Sequence, residues 1–169
     1  MPLSMYQASI PVFQRMLGNL AQILDKAVAY AEAKKIDPNV LINARLAPDM
    51  LPLARQVQIA TDTAKGCAAR LAGVENPSYP DTETTFAELQ ARLDKTQSFL
   101  KSVTAEQIDG SEGKPITLTF PSIELKFDGQ NYLLAFALPN FMFHVTTAYA
   151  ILRHNGLDIG KMDFLGRPS

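Results

Sequence analysis

The sequence predicts a mainly α protein: a four-helix bundle with a small antiparallel β-hairpin or meander inserted before the last helix. Three observations carry this expectation. Apolar residues recur every three or four positions in four long segments, two of those segments open on a capping box, and the period switches to two once, after Gly110. A length of 169 residues, with 47% hydrophobic and 20% charged side chains, suits a single domain over residues 1–169 built on one core.

The first helix opens at Ser4, whose partner three residues on is Gln7, the spacing of a capping box. Its stripe is Ile10, Phe13, Leu17, Leu20, Leu24, Ala27 and Ala31. A second row, Met16, Ile23 and Tyr30, widens the apolar face enough for a bundle interior or an additional dimer contact. Pro11 falls inside this helix, where a missing donor favours a kink. Asp37 and Pro38 have the form of an N-cap and first helical residue of a short reversing helix.

The second long helix is expected to begin near Pro48 and Asp49, to bury Leu53, Val57, Ala60, Ala64, Cys67 or Ala68, and Leu71, and to stop at Gly73. VENPSYPD is a loop. Thr85 with Glu88 then opens a third helix that turns Phe86, Leu89, Leu93, Leu100 and Val103 inward. ITLTF and IELKF alternate as strands do, and Phe127 to Gln130 has the composition of a tight turn into a further run, NYLLAF. Pro139 and Asn140 open the last helix, with Phe141, Val145, Ala148 and Leu152 on one face and Asn155 and Gly156 at its end. The tail LDIGKMDFLGRPS is short and Gly-rich, so no further helix is expected there.

Charge and composition exclude several classes of function. Sixteen basic and seventeen acidic residues are interspersed, giving a net charge of -1, so no basic stripe is available for a row of phosphates and no nucleic-acid partner is expected. The amino end lacks the form of a signal peptide and no segment offers an uninterrupted apolar span. The chain is therefore expected in the cytoplasm with no membrane partner. The single cysteine, Cys67, rules out an intramolecular disulfide, and its Ala-rich surroundings make it a small buried hydrophobe. GLDIGKM and GSEGKP fall short of a phosphate-binding loop, and no H-E-x-x-H, C-x-x-C or G-x-S-x-G string occurs.

The remaining candidates for chemistry are two histidines on the last helix. His144 and His154 are separated by about 280° of rotation and ~15 Å of rise, so one ion cannot bridge them. His154 suits the negative end of the helix dipole. His144 lies on the flank of the core stripe, where a hydrogen-bonded, partly buried imidazole is expected. Asp49 and Gln56 lie about two turns apart at the start of the second long helix, which faces the fourth in a bundle. Asp49, Gln56, Asn140 and His144 therefore form a candidate pocket between helices two and four, with His144 the one metal candidate among them.

NARLAPDMLPLARQVQIATDTAKGCAARLAG and ALPNFMFHVTTAYAILRHNGLDIGKMDFLG resemble a domain-of-unknown-function family, number nineteen-ninety-three, placed among the DinB-like four-helix bundles. The resemblance covers almost the whole chain. The wider group is described as metalloenzymes, some of them metal-dependent thiol transferases that use three histidines. It implies one ligand early in helix two and a His-x-x-x-His pair on a later helix. His144 matches the first member of that pair, but Ala148 stands at the second and helix two has no histidine. The expectation is a DinB-like bundle without the usual three-histidine site and without a cofactor, a divalent metal being disfavoured, that assembles as a homodimer through the wide faces of helices one and four. The alternative is a small-ligand binder or transferase-like enzyme using the pocket between helices two and four.

Overall fold

Local signals start and stop the helices largely where the spacing predicts. Ser4 Oγ accepts from the Gln7 amide and the Gln7 side chain accepts from the Ser4 amide, opening α1 (Met5–Lys34), which runs unbroken through Pro11. Asp37 caps α2 (Pro38–Ile42), with Pro38 in its first turn. Gly73 ends α3 (Leu53–Ala72) in the left-handed conformation, at φ 73°. Thr85 and Glu88 form the second capping box, at the start of α4 (Phe86–Ser102). A short α5 (Ala105–Ile108) follows. The chain is described here from a computed structural model covering residues 2–166.

Three expected boundaries move. The second long helix starts at Leu53 and not near Pro48, because a residue before proline is pushed out of the helical region. Leu51 precedes Pro52, so residues 45–50 form turns and the helix begins only past the second proline. The hairpin pairs β1 (Pro115–Phe120) with β2 (Ile123–Asp128), Ile116 opposite Phe127, and turns at Pro121 and Ser122. It ends where a turn into a third strand is expected. Asp128 accepts from the Asn131 amide at 2.8 Å and thereby caps α6 (Gly129–Asn131). The run continues as a π-helical segment, Tyr132–Ala137, into α7 (Leu138–His154). NYLLAF is thus helical: Tyr132 and Leu133 are buried while Leu134 and Ala135 are exposed, a pairing that period two does not give. The tail also forms a short helix, α8 (Lys161–Leu165). The Asp163 carboxylate accepts from the Gly160 amide at its start, and Asn19 Nδ2 donates to the Phe164 carbonyl.

Side-chain contacts fix the direction of each long helix. Gln90 donates to the Ala21 carbonyl and Gln97 to that of Gln14, so α4 runs antiparallel to α1. Phe13 meets Phe141 edge-on and Tyr30 donates to the Asn155 carbonyl, so α7 runs parallel to α1. Gln56 meets His144, Asn140 meets Thr63 and Arg70 meets Tyr132, so α3 runs antiparallel to α7. Consequently α3 and α4 are parallel neighbours. The 73–85 segment must then travel back along the whole of α3, ~30 Å, which thirteen residues of extended chain span with some slack.

The core is the union of the four stripes, with Phe13, Leu17, Leu20, Leu53, Leu89 and Phe141 fully buried. The second row of α1 is used inside the same core, since Met16 is 6% and Ile23 1% exposed. Tyr30, the third member of that row, is partly buried. The helical run Gly129–His154 is, by length and composition alone, long and apolar enough to cross a bilayer. In the bundle its Phe141, Val145, Ala148 and Leu152 are core.

Candidate functional site

The α3–α7 seam brings together two of the four pocket residues directly. Gln56 and His144 are both buried, and His144 Nδ1 lies 2.7 Å from Gln56 Oε1. Gln56 Nε2 donates to the Leu51 carbonyl at 2.9 Å, so its oxygen is the end that faces the imidazole. That assigns the proton to His144 Nδ1 and leaves Nε2 as the acceptor of the ring. Asn140, one turn before His144, is engaged elsewhere and donates to Thr63 Oγ1 at 2.9 Å. Asp49 does not join them: it is exposed in the turn before α3 and makes no hydrogen bond to the other three. His154 is exposed in the last turn of α7, as the dipole argument expects. Cys67 is fully buried, and burial pushes its thiol far up, in keeping with an inert hydrophobe.

Desolvation, followed by the positive charge of Arg55, holds the His144 imidazole below its ordinary value. A histidine depressed in the fold binds fewer protons there than in the unfolded chain, so stability is greatest above the unfolded value of about 6.5 and is lost as pH falls toward the folded one. Thermal midpoints are therefore expected to fall between pH 7.5 and pH 5, about, by more in the wild type than in His144→Gln. Parallel pH profiles for the two proteins would contradict the assignment.

The seam does not fit a three-ligand metal centre. Gln56 and His144 are bonded directly to each other, and their 2.7 Å separation holds a proton where two ligands of one ion would stand further apart. The position one turn beyond His144 is the fully buried Ala148. Among the described residues no group of three or more His, Cys, Asp or Glu is placed to hold a metal ion.

The model of the domain of unknown function DUF1993 matches residues 5–165. This chain belongs to the DUF1993 family. A crystal structure of a DinB family member protein from Shewanella denitrificans is 43% identical, with 96% of this chain and 92% of that chain covered and a TM-score of 0.88. The DUF1993 chain thus has the DinB-like helical fold. No curated protein matches it.

A second polar cluster of the DUF1993 bundle was not singled out from sequence. Arg92 on α4 is 3% exposed, and each of its three nitrogens has an acceptor. Nε donates to Thr61 Oγ1 at 2.8 Å, Nη1 to the Pro80 carbonyl and Glu83 Oε1 at 3.0 Å each, and Nη2 to Asp62 at 2.8 Å, with Asp81 an ion-pair partner of Nη2 at 3.1 Å. Arg55 pairs with Asp81 and Gln58 with Glu83 on either side. Tyr79 lies in the same segment with three cations against its ring: Lys95 at 4.2 Å, Lys65 at 4.8 Å and Arg92 at 5.5 Å. The cluster pins the 73–85 crossover to α3 and α4. A signal for it does exist in the sequence. Arg92 and Thr96 occupy stripe positions between Leu89, Leu93 and Leu100, and a charge in a buried stripe demands a network.

Proposed function

We propose that this DUF1993 chain is a metal-independent binding protein that works as a homodimer, joined through the outer face of the π-helical segment and α7. One observation carries this reading. From Tyr132 to Leu152 the chain has no Asp, Glu, Lys or Arg, although Leu134 is 52% and Phe143 55% exposed, with Ala135 and Pro139 exposed between them and Thr146 just beyond. A helix face in water normally carries charge, and an uncharged one with large apolar side chains marks a contact surface. A second copy meets it by the same residues across a two-fold axis, the commonest closed arrangement. The directly bonded Gln56–His144 pair supports the metal-independent part of the reading, because neither side chain is arranged as a ligand.

Sedimentation velocity at micromolar concentration is expected to show a dimer. Leu134→Glu combined with Phe143→Glu is expected to give a folded monomer with an unchanged far-UV circular dichroism spectrum, because both side chains are more than half exposed in the single chain. A wild-type monomer, or wild-type protein that floats with lipid vesicles in place of dimerising, would overturn the proposal.

A further inference from the structure

Beside the crossover lies a cleft of about 350 Å³ lined by Asp62, Lys65, Arg70, Asn76, Ser78 and Tyr79. Its walls come from the second half of α3 and from the returning segment. Three cations of α3 lie along the crossover, Arg55, Lys65 and Arg70. Asp81 pairs with Arg55 and Arg92, Asp62 with Lys65 and Arg92, and Glu83 with Arg92 and Gln58. Asp62 serves Arg92 at 2.8 Å and Lys65 at 3.2 Å with the same oxygen. Among the described residues, Arg70 is the member of this group with no carboxylate partner.

Arg70 is nevertheless held in place. Nη1 donates to the Tyr132 hydroxyl at 3.1 Å, and the guanidinium lies 5.9 Å from that ring. Burial pushes the Tyr132 phenol up to about 12, so it stays neutral and supplies no counter-charge. Gly66 makes room for the guanidinium: a Cβ there would come within 2.5 Å of Arg70 Nη1 and 3.5 Å of the Asn76 amide nitrogen. The glycine thus lets an arginine fork and an amide donor converge over bare backbone, next to the ammonium of Lys65, whose side chain is 6% exposed. A fixed guanidinium with unused donors suits a planar or tetrahedral oxyanion, and the volume suits a small molecule that carries one.

We infer that this cleft binds a small oxyanion-bearing molecule, a carboxylate or a phosphate monoester, with the Arg70 fork as its principal contact and Lys65 and Asn76 beside it. The inference does not rest on the proposed dimer. Its placement couples ligand to the crossover, because Asn76, Ser78 and Tyr79 are crossover residues.

The test titrates inorganic phosphate, phenyl phosphate and benzoate into the protein at low salt, followed by amide shifts in NMR spectra. Saturable shifts centred on Lys65, Gly66, Arg70 and Asn76 are expected, with phosphate or carboxylate identified by which probes produce them. Arg70→Gln is expected to weaken binding about tenfold or more, whereas Lys101→Gln, an exposed charge on α4, leaves it unchanged. Asn76→Asp, a loop change that leaves α3 intact, replaces an amide donor in the cleft and adds a second carboxylate to Asp62, is expected to abolish binding. No saturable shift with any of the three probes, or equal losses in Arg70→Gln and Lys101→Gln, would overturn the inference.

Discussion

Replacing Arg92 with methionine is expected to cost about 3 kcal/mol of stability, read from urea unfolding, and to lower the thermal midpoint by roughly 6–12 °C. The size follows from what is left behind. The guanidinium is almost completely buried and holds partners on two other elements at once: Thr61 and Asp62 on α3, and Pro80, Asp81 and Glu83 on the crossover. Methionine fills much of the volume but leaves Thr61 and the Pro80 carbonyl without their donor and places Asp62 near Glu83 with no cation between them. Asp62 and Asp81 are more than a third exposed and recover some hydration, which keeps the loss at the lower end for a broken buried ion pair. Arg92→Lys keeps the charge without the five-donor fork and is expected to lose about half as much. The damage is also local, so proteolysis within 73–85 should accelerate before the bundle melts. A loss under about 1 kcal/mol in Arg92→Met would mean that the cluster behaves as a solvated surface network.

The second large effect is expected at Gly129. A Cβ at this position would overlap the Ser111 carbonyl oxygen and stand 3.0 Å from its carbon, with Leu71 Cδ2 at 3.4 Å. The obstacle is backbone, and that backbone is itself held, since Ser111 accepts from the Lys114 amide and Glu112 from the Gln130 amide. Gly129→Ala is therefore expected to destabilise by about 3 kcal/mol, the upper range for overpacking, although alanine is the better helix former. Were Gly129 the tip of a free hairpin, the same change would stay within about 0.5 kcal/mol. Urea unfolding separates the two outcomes, and an unchanged midpoint would show that the 111–114 turn yields.

These two residues mark where local pattern stops being informative. The capping boxes at Ser4 and Thr85, the Asp37–Pro38 start and the Gly73 stop are built from neighbours in the chain, so the chain order displays them. The stripes of α1, α3, α4 and α7 are equally legible, because burial on one side of a helix imposes its own period. Gly129 looked like a turn because glycine after aspartate serves a hairpin and a close approach alike. NYLLAF looked like a strand because a short apolar run is compatible with either element; the Asp128 cap and the continuing helix decided it. His144 was identifiable as a buried, hydrogen-bonded imidazole, and its distance along the helix from His154 excluded a shared ion.

What the sequence determined alone is therefore the mainly helical class, the core stripes and the buried cysteine. Tertiary structure decided the parallel placement of α3 and α4, and everything that placement creates: the returning crossover, the Arg92 cluster that holds it and the Arg70 cleft beside it. It also consumed the second apolar row of α1 and left the uncharged face on α7. The physical reason is range. Caps and periods act within one or two turns, whereas a buried guanidinium, a glycine pressed on distant backbone and an uncovered face depend on which segments meet, and nothing in the order of the residues states that directly.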